Sequence, residues 1–197
     1  MRVLVVGPYP PPAGPGAQQT MQTVRRLAAG GDEVEVQSPE LSAAHRHGPA
    51  TGPRGAFELA RRGRRYDAVY VHVGSGAPLR PNAGRARRLI DCVMWAFALR
   101  RCRESVLVID DLTLNPLSVG GRSGRLLWAS ASRLLVTKET DRLSMHRDGG
   151  YPLDRIELLS LPAPTQRWDE GWAGAADAAT AQALVRSRAA AERRRGP

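Results

Sequence analysis

Aromatic side chains make up only 5% of the 197 residues, with two phenylalanines, four tyrosines and four tryptophans. Any core must therefore rest on Val, Leu, Ala and Ile; at 42% apolar content the chain is long enough to bury one as a single domain. Cysteine is nearly absent. Cys92 and Cys102 stand ten positions apart on a stretch that reads as helix, which excludes a zinc pair at metal-ligand spacing. We read both as reduced, Cys92 being packed as a small hydrophobe. No apolar run approaches the roughly 20 residues of a membrane span. Val93–Leu99 is the longest clean run near the middle, and Val3–Val6 is too short for the core of a secretory signal. The expected compartment is the cytoplasm. Two phosphate-binding motifs are also missing. G-x-G-x-x-G starting at Gly14 would need glycine where Gln19 stands, and no Gly-Lys-Ser/Thr follows the glycines.

Lysine is reduced to Lys138; the other 28 of the 29 basic residues are arginine, and the formal net charge is +10. Codon bias is one source, because Ala, Gly, Pro and Arg are abundant together, and it would leave the charge on solvated faces. A phosphate-bearing partner is the functional alternative, since arginine grips phosphate bidentately. Nucleic acid is not expected. Only Arg61-Arg62-Gly63-Arg64-Arg65-Tyr66 sets an aromatic beside a basic run, as stacking on single strands would require.

The residues that are present organise around the opening stretch, MRVLVVGPYPPPAGPGA. Arg2–Val6 has the continuous apolar character of a parallel strand buried on both faces. Gly7 ends it, and Pro8, Pro10, Pro11 and Pro12 forbid both helix and sheet ladder. Gly14 and Gly16 follow, with a helix predicted from Ala17 to Ala29. Strand, glycine turn and helix start together make an anion site, because free backbone N–H groups and the positive end of the helix dipole face one point.

Downstream, strands alternate with helices. Strands are predicted over Glu33–Gln37, Tyr66–Val73, Ser105–Ile109, Arg133–Thr137 and Ile156–Leu161. The alternating character of Glu33–Gln37 puts it in a more exposed part of the sheet. Helices are predicted over Gly55–Gly63, Ala83–Arg103, Gly120–Ala131 and Lys138–Arg147. Ser38–Pro53 reads as a loop whose His45 and His47 lack the carboxylate or thiol neighbours of a metal site, so no metal is expected. Ala83–Arg103 is apolar on nearly all sides from Leu89 to Leu99 apart from Asp91, with arginines at both ends. We read it as a helix packed deeply on the sheet; interfacial attachment to a membrane is the alternative.

Alternation of this kind implies right-handed crossovers and an α/β fold with a doubly wound, mostly parallel sheet. Ligands of such sheets sit outside the carboxyl ends of the strands. Those ends carry Gly14 and Gly16, Gly74–Gly76, Asp110 and Asp111, and Thr137 with Lys138, while His72 lies late in the third strand. Beyond Pro164 the chain turns alanine- and arginine-rich, and residues 165–197 are read as a helical or disordered tail.

In order and spacing, RVLVVGPYPPPAGPGAQQTMQTVRRLAAGGDEVEV, YDAVYVHV, VLVID and RLLVTKETDRLSMHRDGGYPLDRIELLSLP resemble the N-terminal domain of GT-B glycosyltransferases of the retaining, nucleotide-sugar-using group. The resemblance covers residues 1–164. It implies a Rossmann-like domain that is one half of a GT-B fold, holding the acceptor and offering its first glycine loop to the donor phosphate. Carried over, the donor-phosphate residues are Gly14, Gly16, Ala17 and Gln18, and the acceptor side holds His72 and Gly74. Where the family commonly places a histidine after the fourth strand, this chain has Asp110 and then Asp111, the candidate catalytic residues. A carboxylate does not donate a hydrogen bond at neutral pH unless its pKa is raised, so the histidine's role does not transfer unchanged.

The stretch after Pro164 is too short for a second Rossmann unit. The resemblance therefore implies a transferase half that works with a second chain or a second copy of itself, on a nucleotide sugar and a glycan or lipid-type acceptor. No cofactor is expected, and peripheral contact with the inner face of a membrane is compatible with such an acceptor. The alternative is a catalytically inactive binding or scaffold protein derived from such a half, with a partner glycosyltransferase as its target.

Overall fold

The computed structural model describes residues 1–8, 15–38, 52–73, 84–109 and 121–159. Six strands form one sheet: β1 (Arg2–Val6), β2 (Glu33–Gln37), β3 (Ala68–Val73), β4 (Ser105–Ile109), β5 (Arg133–Val136) and β6 (Ile156–Leu158). Their order is β2-β1-β3-β4-β5-β6, and every pairing is parallel. The helices are α1 (Pro15–Ala29), α2 (Gly52–Arg62), α3 (Arg85–Arg100), α4 (Arg122–Trp128) and α5 (Glu139–Arg147). This is a single Rossmann-like α/β domain, as the alternation of strand and helix patterns predicts.

Valine and leucine dominate the strands because both faces of the sheet are covered. Adjacent residues point to opposite faces, and the core divides accordingly. Val3 and Val5 of β1 pack with Val34 of β2 and Val24 of α1. Leu4 and Val6 belong to a larger cluster with Leu59 of α2, Trp95 and Leu99 of α3, Leu127 of α4 and Met145 of α5. Among the described helices α1 thus covers one face and the other four cover the opposite face. Handedness dictates this division. The chain moves one way from β1 to β2 and the other way from β2 onward, and right-handed crossovers then fall on opposite faces.

Local chemistry sets the element ends. Gly31, at φ +85°, closes α1: its N–H bonds to Ala28 O at 3.0 Å and the Asp32 N–H to Leu27 O at 3.1 Å, a paired cap that needs a left-handed residue. Helix α2 starts three residues earlier than predicted, at Gly52. Pro53 does not break it, since a first-turn proline removes no intrahelical hydrogen bond. Strand β3 starts two residues late because Gly63–Arg65 forms a 3-10 turn that the Tyr66 N–H closes. Strand β2 is the sheet edge on one side, in keeping with its alternating pattern, and three-residue β6 is the edge on the other.

Helix α3 departs from the expectation of deep burial all round. Asp91, Cys92, Trp95, Ala96, Ala98 and Leu99 face inward and are buried, and the Trp95 indole donates to Gly52 O of α2 at 3.0 Å. Leu89, Ile90, Val93 and Phe97 are exposed. Sequence periodicity cannot separate the two arcs, because both are apolar.

Candidate functional site

The strand order reverses at β1, which has β2 on one side and β3 on the other. A crevice opens outside the carboxyl ends of the strands at such a switch point. Gly7 stands at this switch point. It follows β1 directly, is buried, and donates its N–H to Gln37 O at the end of β2 across 3.1 Å. A Cβ at Gly7 would stand 2.8 Å from Thr20 Oγ1 of α1 and 2.9 Å from the Cβ of His72 of β3. The absence of a side chain is what lets β1, the amino-terminal half of α1 and the end of β3 close up on one point.

Helix α1 begins at Pro15, with Gly16 and Ala17 buried and Gln18 half-buried. Its first turn holds no acidic residue, so no carboxylate there offsets the positive end of the helix dipole. Thr20, fully buried, donates its hydroxyl to Gly16 O at 3.0 Å and so stiffens that turn. His72 is fully buried. By the pairing of Val6 with Val71 and of His72 with Val108, it lies level with Gly7, on the α1 side of the sheet. Oγ1 of Thr23 on α1 is buried without a hydrogen-bond partner among the described residues, and so is Oε1 of Gln37, whose pairing with Val6 puts its side chain on the opposite face of the sheet. Leaving such groups unmade costs about 1–3 kcal/mol each.

Of the residues expected from the sequence, His72 meets Gly7 and Thr20, Thr20 bonds to Gly16, and Ala17 and Gln18 belong to the same opening turn of α1. Gly14, Gly74, Asp110 and Asp111 lie outside the described residues, as do His45, His47 and the tail 165–197. Sequence reading missed Gly7 and Thr20 as site residues. A glycine directly after a buried strand was the available signal for the first, and a threonine four positions beyond Gly16 for the second. Among the described residues no three His, Cys, Asp or Glu side chains group as a metal site, and no helix is long and apolar enough to cross a membrane. Comparison with protein-family models and with curated protein sequences gives no match.

Proposed function

We propose that this domain is the acceptor-side half of a nucleotide-sugar-dependent glycosyl transfer system. It would bind the donor's phosphates at the start of α1, with a second chain or a second copy completing the site. The observation that supports this reading is the convergence at Gly7, where β1, α1 and His72 of β3 meet at the switch point of a parallel sheet. A helix start free of carboxylates suits an anion. That the anion is a sugar-nucleotide diphosphate follows from the family resemblance of the glycine loop.

Thermal shift with uridine and guanosine diphosphates, their glucose and mannose conjugates, and inorganic phosphate tests the reading. A ligand at a hundred times its Kd adds about 2.7 kcal/mol to stability, and a clear rise in Tm is expected with at least one nucleoside diphosphate. The variant Gln18→Glu, which sets a carboxylate in the first turns of α1, should reduce that rise. No rise with any of these compounds sinks the reading. A rise without sugar transfer when the partner chain is present favours the non-catalytic scaffold.

A further inference from the structure

We propose that the outward arc of α3 is a docking surface for an anionic lipid bilayer. The inference is independent of what occupies the crevice. Leu89, Ile90, Val93 and Phe97 are 47%, 52%, 47% and 52% exposed. At about 100° per residue they fall within one arc of roughly 100° and run along some 12 Å of helix. Four large apolar side chains in a continuous ridge are unlike the scattered single ones of an ordinary surface. Phe57, 62% exposed on the neighbouring α2, adds a fifth to the same helical layer.

Charge identifies the occupant. Arg100 falls on the same arc at one end of the ridge, Arg85 stands about 40° off it at the other, and the Arg101 guanidinium lies 5.0 Å from the Phe97 ring centroid. Residues 52–65 and 84–103 together hold eleven arginines and two carboxylates, nearly the whole net charge of the chain. Arg61, Arg62 and Arg103 are bridged to Glu58, Glu35 and Asp67, and Asp91 is buried inward, so Arg85, Arg100 and Arg101 at the helix ends are the arginines that flank the ridge.

A second copy fits this face poorly, because a two-fold contact would set arginine against arginine. A nucleic acid would meet the arginines but offer the apolar ridge no hydrocarbon. A bilayer containing anionic lipid offers both: phosphates for the flanking arginines, and an acyl boundary into which an apolar helix face sinks by about 5–10 Å. The ridge lies on the layer of α2 and α3, on the opposite face of the sheet from α1 and His72.

Co-sedimentation with phosphatidylcholine vesicles, plain or carrying about 30 mol% phosphatidylglycerol, tests the proposal. Binding should be at least about tenfold tighter to the anionic vesicles and should weaken as salt is raised past about 0.1 M. Ile90→Ser with Phe97→Ser should lower that binding about tenfold or more, with Tm unchanged because both side chains are exposed. Should that variant fail to fold, Arg100→Gln with Arg101→Gln carries the test and should lower both the binding and its salt dependence. Folded wild-type protein that ignores anionic vesicles, or binds plain ones equally well, overturns the proposal. So does a lipid-free dimer in sedimentation velocity that Ile90→Ser with Phe97→Ser converts to monomer, which would assign the ridge to a second copy.

Discussion

Gly7 and His72 are packed so closely that a methyl group on the glycine would lie 2.9 Å from the histidine Cβ, with Thr20 Oγ1 at 2.8 Å on its other side. The His72 atom is joined directly to the backbone of a central strand and cannot swing away. Gly7→Ala should therefore destabilise the domain by about 1–3 kcal/mol, the usual cost of overpacking. Combining it with Thr20→Ala removes the nearer contact and should recover part of that loss. Urea denaturation of the two single variants and the double gives the coupling, expected at about 0.5–1 kcal/mol. Strict additivity would mean that Thr20 is not what the methyl group strikes.

Arg62, at the end of α2, and Tyr66 both bond to the carboxylate of Glu35 on edge strand β2, and Arg62 Nη2 also reaches Tyr66 Oη at 3.2 Å. The group is mostly shielded from water and fastens α2 to an edge strand that has only one neighbour. Glu35→Ala leaves a partly buried guanidinium without its carboxylate and should cost about 2–3 kcal/mol. Tyr66→Phe removes one hydroxyl and should cost about 1 kcal/mol. Replacing Glu35 and Arg62 together by methionine should cost less than Glu35→Ala alone, because no charge is left stranded. Chemical denaturation of the three variants checks the order.

Alkaline pH should weaken the fold through Tyr151. Burial pushes its phenol up to about 12, with Arg125 offsetting part of the effect, and its hydroxyl donates to Arg125 O at 3.3 Å. The folded state thus holds the phenolic proton more tightly than the unfolded chain. That contribution is complete below about pH 10 and is lost as pH rises from 10 toward 12. Burial raises the phenols of Tyr66 and Tyr70 as well. Urea midpoints should fall across this interval, and Tyr151→Phe should flatten the fall. An unchanged slope in that variant would place the titration elsewhere.

The apolar runs of β1 and β4 made their bounds legible in the sequence, because a strand buried on both faces needs no partner to declare it, and the alternation of Glu33–Gln37 did the same for edge strand β2. The exposed arc of α3 was not legible. Leu89 and Trp95 are equally apolar, and only the packing of Trp95 under Gly52 reveals which arc faces the sheet. The helix start proposed to bind an anion could be read from local chemistry, since glycine, proline and the start of α1 are neighbours in the chain. The junction at Gly7 could not. It joins residues 7, 20 and 72, and it exists only because β3, rather than β2, lies on that side of β1.

That insertion of β1 between β2 and β3 also orders events during synthesis. Val3 to Val6 of β1 meet Val34 to Gln37 on one side but Ala68 to Val71 on the other. At ribosomal rates, roughly 2–7 s separate the emergence of β2 from that of β3. For that interval β1 offers a row of unpaired amides and carbonyls along a valine-rich edge. Such an edge is a template for any other extended chain, so β1 is a strand that needs shielding on a crowded ribosome until β3 arrives.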